Sequence, residues 1–463
     1  EQMKNVSLQT TDLAARINYL ATQFSLDGWC KNALHTFRLS SNDVMSRRKE
    51  PDTDEFLRDV RSVAEAYRGI FSVSIPKELL DILPEQVRKT PIKREKMDLA
   101  RRVRVSFEWA DDEFLYVSPV DEVSEENWKI RYNVLGVNDE FTEGIADFWR
   151  HASLNLLDVK KNEDGTYTPS FIVLDPDYLV DISTLAECYR DYGSHPANFL
   201  MNRLIPIDNA TPLLLGNIAN LFLDEWIYAG EEEPDYLTCM KKAFRKYPVE
   251  LAACEELLDP EKEKAFFQNC QMHFEHIRQT VTETFRAAGY NLDKSDAVLE
   301  PSYICEALGI QGRLDYMQRD MSSFIEMKSG KADEYAIKGK IEPRENNRVQ
   351  MLLYMAVLEY SMNVGRHKQH PYLLYTRYPL LYPARASWAH VRRIIALRNR
   401  IVASEYGTQM HNHPSYTAGL LAQINPTTLN QRKMQGRFWE QYLVPDILNF
   451  QKRLSGLSDL EKV

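Results

Sequence analysis

The sequence predicts an α/β (α+β) protein in which a mixed central sheet is flanked by helices. Three observations lead to this class. Apolar side chains near the start of the chain recur at helical spacing. Short apolar runs separated by turns follow, as is typical of strands. Further along, strands and helices alternate around one group of polar side chains.

The order of these patterns predicts four regions. Residues 1–70 form a helical region, because Leu13, Ile17, Leu20 and Phe24 recur on one helix face. Residues 71–175 form a β-rich accessory domain, which is a candidate for nucleic-acid binding. Residues 176–385 form the mixed α/β domain. Residues 386–463 are helical again and end in an amphipathic run.

Composition limits the class of protein. The chain has 463 residues, of which 44% are hydrophobic, and a net charge of -10, which argues against a broad coat of nucleic acid. The chain has no run of eighteen apolar residues and no signal peptide, so we expect no contact with a membrane and a cytoplasmic location. Six cysteines without a Cys-x-x-Cys pair fit a reducing compartment and argue against a zinc site.

Two strands of the mixed domain bring acidic side chains together. Ile310 to Met317 is predicted as one strand and Ser323 to Lys328 as the next, joined by a polar turn. Because side chains alternate along a strand, Glu326 and Lys328 share one face. An antiparallel hairpin then places Asp315 beside Glu326.

A helix follows this hairpin. It is expected to begin at Asn346 or Asn347, and its apolar positions recur at helical spacing. Gln350 and Tyr354 lie four residues apart and are therefore neighbours on the helix surface.

The chemistry of these residues points to a hard metal ion. Mg²⁺ takes oxygen ligands and typically uses one or two carboxylates together with a substrate phosphate. Asp315 and Glu326 can supply those carboxylates, and Lys328 can orient a water or stabilise negative charge. The alternative is chance, because an acidic residue two positions before a lysine is a common pattern. Asp158-Val-Lys160 is such a competitor, but no helix with Gln and Tyr follows it.

These residues resemble the PD-(D/E)XK nuclease superfamily in its RecB-type branch. The resemblance is to the nuclease domains of replication and repair helicase–nucleases and to CRISPR-associated RecB-like exonucleases. It rests on three segments, which are Glu300 to Asp315 (EPSYICEALGIQGRLD), Phe324 to Lys331 (FIEMKSGK) and Asn347 to Tyr354 (NRVQMLLY). It implies a restriction-endonuclease-like core within residues 176–385.

The resemblance also implies an activity and roles for the site residues. The activity is metal-dependent hydrolysis of phosphodiester bonds, on single-stranded DNA or DNA ends, in repair, replication or defence. Asp315 and Glu326 hold Mg²⁺ or Mn²⁺, Lys328 assists the nucleophile, and Gln350 and Tyr354 support the site. This chain has no phosphate-binding loop, so it carries no ATPase of its own. Because such nucleases are often fused to helicases, the resemblance implies a helicase domain as a partner in the same full-length chain.

Two features depart from the family pattern. A histidine is expected on an upstream helix, but Gly216 is followed four residues later by Asn220, which is a weaker ligand. Asn220 is either a metal ligand or a hydrogen-bonded helix residue. Asp224 and Glu225 can compensate, whereas His273 and His276 are predicted to be ordinary helix-face histidines. No cysteine follows Glu326, so we expect no iron–sulfur cluster, which needs four thiolates.

Two groups of basic residues are candidates for DNA contacts. The first flanks the site and comprises Lys338, Lys340, Arg344 and Arg348; the second lies on a later helix and comprises Arg392, Arg393, Arg398 and Arg400. For either group the alternative is a solvated surface. Three hypotheses for the whole chain remain open: an active nuclease, a catalytically weakened DNA-binding module on a nuclease fold, and an unrelated protein in which the motif is coincidental.

Overall fold

A computed structural model describes most of the chain. The described residues are 13–45, 50, 52–85, 101–121, 124, 126–190, 193–204, 210–287, 289–290, 292–335, 340–411, 449, 452–453 and 455–456. Lys338, the side chain of Lys340 and most of the predicted helical region beyond residue 411 lie outside them. None of the described helices is long and apolar enough to cross a membrane.

The protein is a mixed α+β structure whose residues pack as two units. The first comprises Glu1–Tyr178, Ala307–Gly309 and Arg392–Leu421, and the second comprises Leu179–Glu306, Ile310–Val391 and Ala422–Val463. The division into four regions stays a prediction from the sequence.

The first unit contains helices followed by a seven-stranded sheet. Its helices are α1 (Leu13–Gln23), α2 (Gly28–Met45), α3 (Thr53–Phe71) and the short α4 (Lys77–Leu80). Its strands are β1 (Arg102–Ala110), β2 (Phe114–Pro119), β3 (Trp128–Arg131), β4 (Ser153–Leu157), β5 (Lys160–Lys161), β6 (Tyr167–Thr168) and β7 (Phe171–Leu174). The strand order is β5-β6-β3-β2-β1-β4-β7, and every pair is antiparallel except β3 with β6.

Local sequence explains this sheet. Val103, Val105 and Phe107 alternate toward the core along β1, as the period of a half-buried strand requires. At the turn to β2 the carboxylate of Asp111 accepts hydrogen bonds from the N–H groups of Glu113 and Phe114, at 2.9 and 2.8 Å. The predicted helices and strands of this region are therefore confirmed where the structure describes them.

The competing Asp158-Val-Lys160 motif lies in this sheet. Asp158 has a positive φ of 50°, and Lys160 begins the two-residue strand β5, which pairs with β6. Lys160 is exposed. The segment leads into a short hairpin.

The second unit carries the mixed sheet. Its helices are α5 (Ile182–Ala186), α6 (Ala197–Leu204), α7 (Thr211–Tyr228), α8 (Tyr236–Lys246), α9 (Pro248–Ala252), α10 (Pro260–Thr282) and α11 (Glu345–Met362). Its strands are β8 (Val180–Asp181), β9 (Tyr189–Arg190), β10 (Gly193–Ser194), β11 (Ala297–Leu299), β12 (Ser302–Cys305), β13 (Ile310–Arg313), β14 (Tyr316–Gln318), β15 (Ser323–Lys328), β16 (Asp333–Tyr335), β17 (Lys340–Glu342), β18 (His370–Tyr375) and β19 (Leu380–Pro383). The last long helix, α12 (Trp388–His411), contributes residues to both units.

The central sheet of this unit has the order β11-β14-β15-β18-β19. Strands β15 and β18 are parallel, and the other pairs are antiparallel. Parallel neighbours need a long connection, and α11 lies within it. Helices α7 and α10 bury Phe222, Trp226 and Phe274 in the same core as Tyr316 and Ile325 of the sheet. This arrangement is the mixed sheet flanked by helices that the sequence predicted.

Arg398 on α12 is fully buried in the first unit. Its guanidinium donates hydrogen bonds to four backbone carbonyls, which belong to Leu174, Asp175, Tyr178 and Gly309. Gly309 has a φ of +64°, and a side chain at this position would overlap the guanidinium. Arg398 therefore neither faces solvent nor is free to hold a phosphate.

Two other arginines of the same group form ion pairs. Arg392 contacts Glu140 at 2.8 Å, and Arg400 contacts Glu143 at 3.3 Å. Arg393 is exposed. The group predicted as one basic surface is thus divided between structural and exposed positions.

We expect Arg398→Met to lower the free energy of unfolding by at least about 3 kcal/mol, because each buried carbonyl left without a donor costs about 1–3 kcal/mol. Urea unfolding followed by fluorescence measures the change. Arg393→Met is the matched control and should change stability by no more than about 0.5 kcal/mol. Equal effects of the two substitutions would contradict the structural role of Arg398.

Candidate active site

The predicted strand Ile310 to Met317 is broken into two pieces. Strand β13 pairs with β12 and β8, whereas β14 belongs to the five-stranded sheet. Between them, the N–H of Leu314 donates to the carbonyl of Pro301, and the N–H of Glu300 donates to the carbonyl of Asp315. The prediction of one continuous strand was therefore wrong, because the chain passes from one sheet to the other at Asp315.

Gly312 is required by close packing near this bend. A Cβ atom here would lie 3.0 Å from the Ile182 side chain and 3.1 Å from the Tyr354 hydroxyl. Because these neighbours belong to α5 and α11, the glycine lets two helices approach the strand that leads to Asp315. This explains why a glycine stands three residues before Asp315.

Asp315 lies beside Glu326 despite the bend. Strands β14 and β15 pair antiparallel, with Tyr316 opposite Ile325. The next position in this register places Asp315 opposite Glu326. One carboxylate oxygen of Asp315, Oδ2, accepts a hydrogen bond of 2.6 Å from the N–H of Met327. The structure thus brings the two predicted carboxylates together by the predicted hairpin.

Glu326, Lys328 and Gln350 form a closed hydrogen-bonded group. Lys328 Nζ donates to Glu326 Oε1 at 2.9 Å and to Gln350 Oε1 at 2.7 Å. Gln350 Nε2 donates to the same Glu326 oxygen at 2.6 Å. Glu326 is 3% exposed, and its second oxygen, Oε2, is buried and has no hydrogen-bond partner in the described part of the chain.

Burial governs the charges at the site. It raises the pKa of Glu326 to about 8, with a further contribution from the charge of Asp315, and Lys328 opposes this rise. Burial likewise raises the pKa of Asp315. Burial alone would lower the pKa of Lys328, but the charges of Glu326 and Asp315 outweigh it, so its pKa lies above the ordinary value. Lys328 is therefore a cation at neutral pH.

Tyr354 supports the backbone that leads to Asp315. It is 2% exposed, and its hydroxyl donates to the carbonyl of Arg313 at 2.5 Å. It lies one turn after Gln350 on α11, as the spacing predicted. Gln350 thus contacts the Glu326 carboxylate, and Tyr354 contacts the backbone just before the bend at Asp315.

Tyr375 has a structural role that the sequence did not reveal. It ends strand β18, is fully buried, and accepts hydrogen bonds from the N–H of Arg344 at 3.1 Å and from Asn347 Nδ2 at 2.7 Å. It therefore fixes the first turn of α11, which carries Gln350. A tyrosine in an apolar strand carries no sequence signal for this role.

Helix α7 presents polar side chains toward the same region. A Cβ atom at Gly216 would lie 3.3 Å from Ser329 Oγ, just after Lys328. Asp224 interacts electrostatically with Glu300 and Asp315, and burial together with these charges raises its pKa to about 6. Asn220 is half-buried and lies one turn from each of Gly216 and Asp224 on the same helix face. Asp224 is thus a neighbour of the carboxylates, while Asn220 makes no contact that defines its role.

His273 and His276 contact Thr376, the residue after strand β18. Both are on α10, where His273 Nδ1 is 2.7 Å from the Thr376 hydroxyl and His276 Nδ1 is 3.0 Å from the Thr376 carbonyl. Burial lowers the pKa of His273 to about 4, so this ring is neutral at pH 7. These contacts fit the helix-face role predicted for them.

Of the first basic group, only Arg344 and Arg348 have described side chains. Both are exposed near the start of α11, and Arg344 is its N-terminal capping residue. Lys340 lies in β17, and Lys338 is outside the described residues. A role in DNA binding stays a prediction for all four.

The donors fit a metal held by two carboxylates. Within the described ranges, no group of three or more His, Cys, Asp and Glu side chains is arranged to hold a metal ion. Asp315 and the partnerless oxygen of Glu326 provide two oxygen donors, which is the number Mg²⁺ commonly takes from a protein. The six cysteines are free thiols and buried.

We expect Tyr354→Phe to lower the free energy of unfolding by about 1–2 kcal/mol, because the substitution removes one buried hydrogen bond and leaves the Arg313 carbonyl without its donor. Urea unfolding of the variant measures this loss. Tyr67→Phe, at a position that is 57% exposed, is the control and should change little. A variant as stable as the wild type would show that the bend at Asp315 does not depend on this hydroxyl.

No protein-family model and none of the curated proteins compared with this chain matches it.

Proposed function

We propose that this chain is a metal-dependent nuclease that hydrolyses phosphodiester bonds in DNA, on single strands or at ends. The observation that carries the proposal is the buried carboxylate of Glu326, which lies beside Asp315. One of its oxygens is held by Lys328 and Gln350, and the other has no partner in the described structure. This oxygen is therefore available to an ion or a water.

The order of the elements supports the same proposal. Helix α7 precedes the antiparallel strands β14 and β15, and α11 then leads to β18, which is parallel to β15. This succession agrees with the restriction-endonuclease-like core that the three motifs predict. The proposed metal ligands are Asp315 and Glu326, and Asn220 is a further candidate on the facing helix.

The metal ion and the side chains have different roles in the proposed site. Bound Mg²⁺ or Mn²⁺ would lower the pKa of a water and offset charge on the phosphate. Lys328 is charged at neutral pH and partly exposed, so it can donate hydrogen bonds to a phosphate oxygen rather than take a proton. Gln350 holds Glu326 and Lys328 in one orientation, and Tyr354 holds the backbone before Asp315.

A catalytically weakened DNA-binding module is the second candidate. One observation favours it, namely the asparagine at position 220, where the family pattern has a histidine. Such a module would bind DNA without cleaving it. A helicase domain in the full-length chain, a role in repair, replication or defence, and a cytoplasmic location stay predictions.

We expect Lys328→Ala to lower the rate of cleavage of labelled single-stranded DNA by a factor of about 10²–10³, because it removes a donor to the charge that develops on the phosphate. The assay compares wild type and variant with Mn²⁺ and with EDTA. Lys368→Ala, at an exposed position, is the matched control.

Three results of this assay are informative. Metal-dependent cleavage that disappears only in Lys328→Ala supports the nuclease. Binding of DNA without cleavage by the wild type supports the weakened module. Equal cleavage by the wild type and Lys328→Ala would sink the catalytic assignment.

The raised pKa of Glu326 predicts that metal binding depends on pH. The metal needs the carboxylate, and the pKa of this group is about 8, so binding must displace its proton below that pH. Apparent Mg²⁺ affinity should therefore fall about tenfold for each pH unit below about 8 and level off above it. The increase in melting temperature at one fixed Mg²⁺ concentration should be larger at about pH 8.5 than at about pH 6.

Glu326→Gln is the control for this measurement, because it removes both the ligand and the titrating group. The variant should show little stabilisation by Mg²⁺ at either pH. The same increase in melting temperature at both pH values in the wild type would contradict a site that contains Glu326.

A further inference from the structure

A cleft of about 380 Å³ opens directly beyond the strand that carries Lys328. Ser329, Gly330 and Lys331, the three residues after this strand, form one wall. The first turns of α7 and α10 form the opposite walls, and Arg377 closes the side next to β18. Because β15 and β18 are parallel and end here, the cleft lies at their carboxyl ends, where ligands commonly bind in α/β sheets.

The cleft carries a surplus of positive charge. Its charged side chains are Lys262, Lys331, Arg377 and Glu256. Glu256 is turned to the start of α7, where its carboxylate accepts hydrogen bonds from the N–H and the hydroxyl of Thr211, at 2.9 and 2.5 Å. The positive end of the α7 dipole therefore offsets this charge. Three cations then face one carboxylate that is already engaged.

The neighbouring His273 adds no positive charge to the cleft. Burial lowers the pKa of His273, and the charges of His276 and Arg377 lower it further, so the ring stays neutral at pH 7. The positive character of the cleft therefore rests on Lys262, Lys331 and Arg377.

The position of Arg377 links the cleft to the candidate active site. Lys328 is paired with Tyr375 across the two strands, and the N–H of Thr376 donates to the Lys328 carbonyl at 2.9 Å. Arg377 is the next residue along. The lining of the cleft thus begins one residue after Lys328 on β15 and two residues after its partner Tyr375 on β18.

We propose that this cleft binds the backbone phosphate of the nucleotide next to the cleaved one, and so holds a single nucleic-acid strand in the candidate active site; this inference rests on the proposed function. Its volume is near the lower limit of ligand pockets, which span about 300–1,000 Å³. It therefore suits one nucleotide, and a duplex would not enter it. The apolar wall, with Pro212 and Leu215, suits a sugar ring.

The test is the salt dependence of DNA binding, measured separately from cleavage. Fluorescence anisotropy with a labelled oligothymidylate, in EDTA, gives the dissociation constant at several salt concentrations. The logarithm of the association constant falls linearly as the logarithm of the salt concentration rises. Each cation that no longer neutralises a phosphate of the single strand should reduce the magnitude of this slope by about 0.7. We expect Lys262→Ala, Lys331→Ala and Arg377→Ala together to lower the slope by about 2.

A matched control removes the same charge elsewhere on the second unit. The triple variant Lys241→Ala, Arg245→Ala and Lys264→Ala also removes two lysines and one arginine, all at exposed positions outside the cleft. Its slope should stay within about 0.5 of the wild-type slope. A second cleft variant, Lys262→Gln with Lys331→Gln, replaces only exposed residues and serves if the triple variant does not fold. It should reduce the magnitude of the slope by about 1.4.

The outcomes separate this inference from the nuclease proposal. A reduced slope in the cleft variants supports the subsite even if the wild type cleaves no DNA. Equal slopes in the cleft variants, the control and the wild type would overturn the subsite even if cleavage depends on Lys328. Binding of duplex as tightly as single strands, with the same sensitivity to the cleft variants, would also overturn it.

Discussion

A carboxylate that is buried in an α/β core must be matched by donors, because an unpaired charge there costs several kcal/mol. Glu326 is the buried carboxylate that needs such donors. Lys328 supplies one donor from the same strand, and Gln350 supplies another from α11. Tyr375 fixes the first turn of α11, the helix that brings Gln350 to this oxygen.

The second carboxylate makes the arrangement unfavourable unless something neutralises it. Asp315 lies opposite Glu326 by the register of β14 and β15, and the negative charge of Asp315 adds to the effect of burial in raising the pKa of Glu326. Lys328 offsets only part of this rise in the pKa of Glu326. A divalent cation would offset more of it, which is why two carboxylates, one lysine and one partnerless oxygen together favour a metal site over an ordinary buried ion pair.

The bend at Asp315 lies where the chain passes from one sheet to another. Strand β13 belongs to one sheet and β14 to another, so the residue between them is free of the regular ladder. Gly312 and Tyr354 fix the chain just before this bend, the first through a close contact and the second through a hydrogen bond to the Arg313 carbonyl. A continuous strand would have placed Asp315 within the regular ladder.

The sequence by itself determined which side chains are available and how near neighbours are related. The strand period puts Glu326 and Lys328 on one face, and the helix period puts Gln350 one turn from Tyr354; both relations hold whatever the rest of the chain does. The hairpin and the strand β18 were also predictable, because apolar runs and turn residues specify them locally. Only the tertiary structure decided the relations between distant residues. It bent the chain at Asp315, put Asp224 rather than a histidine near the carboxylates, and buried Arg398 among carbonyls instead of exposing it to phosphate. These outcomes depend on burial and on distances across the sheet, and such quantities arise only when segments far apart in the sequence pack together.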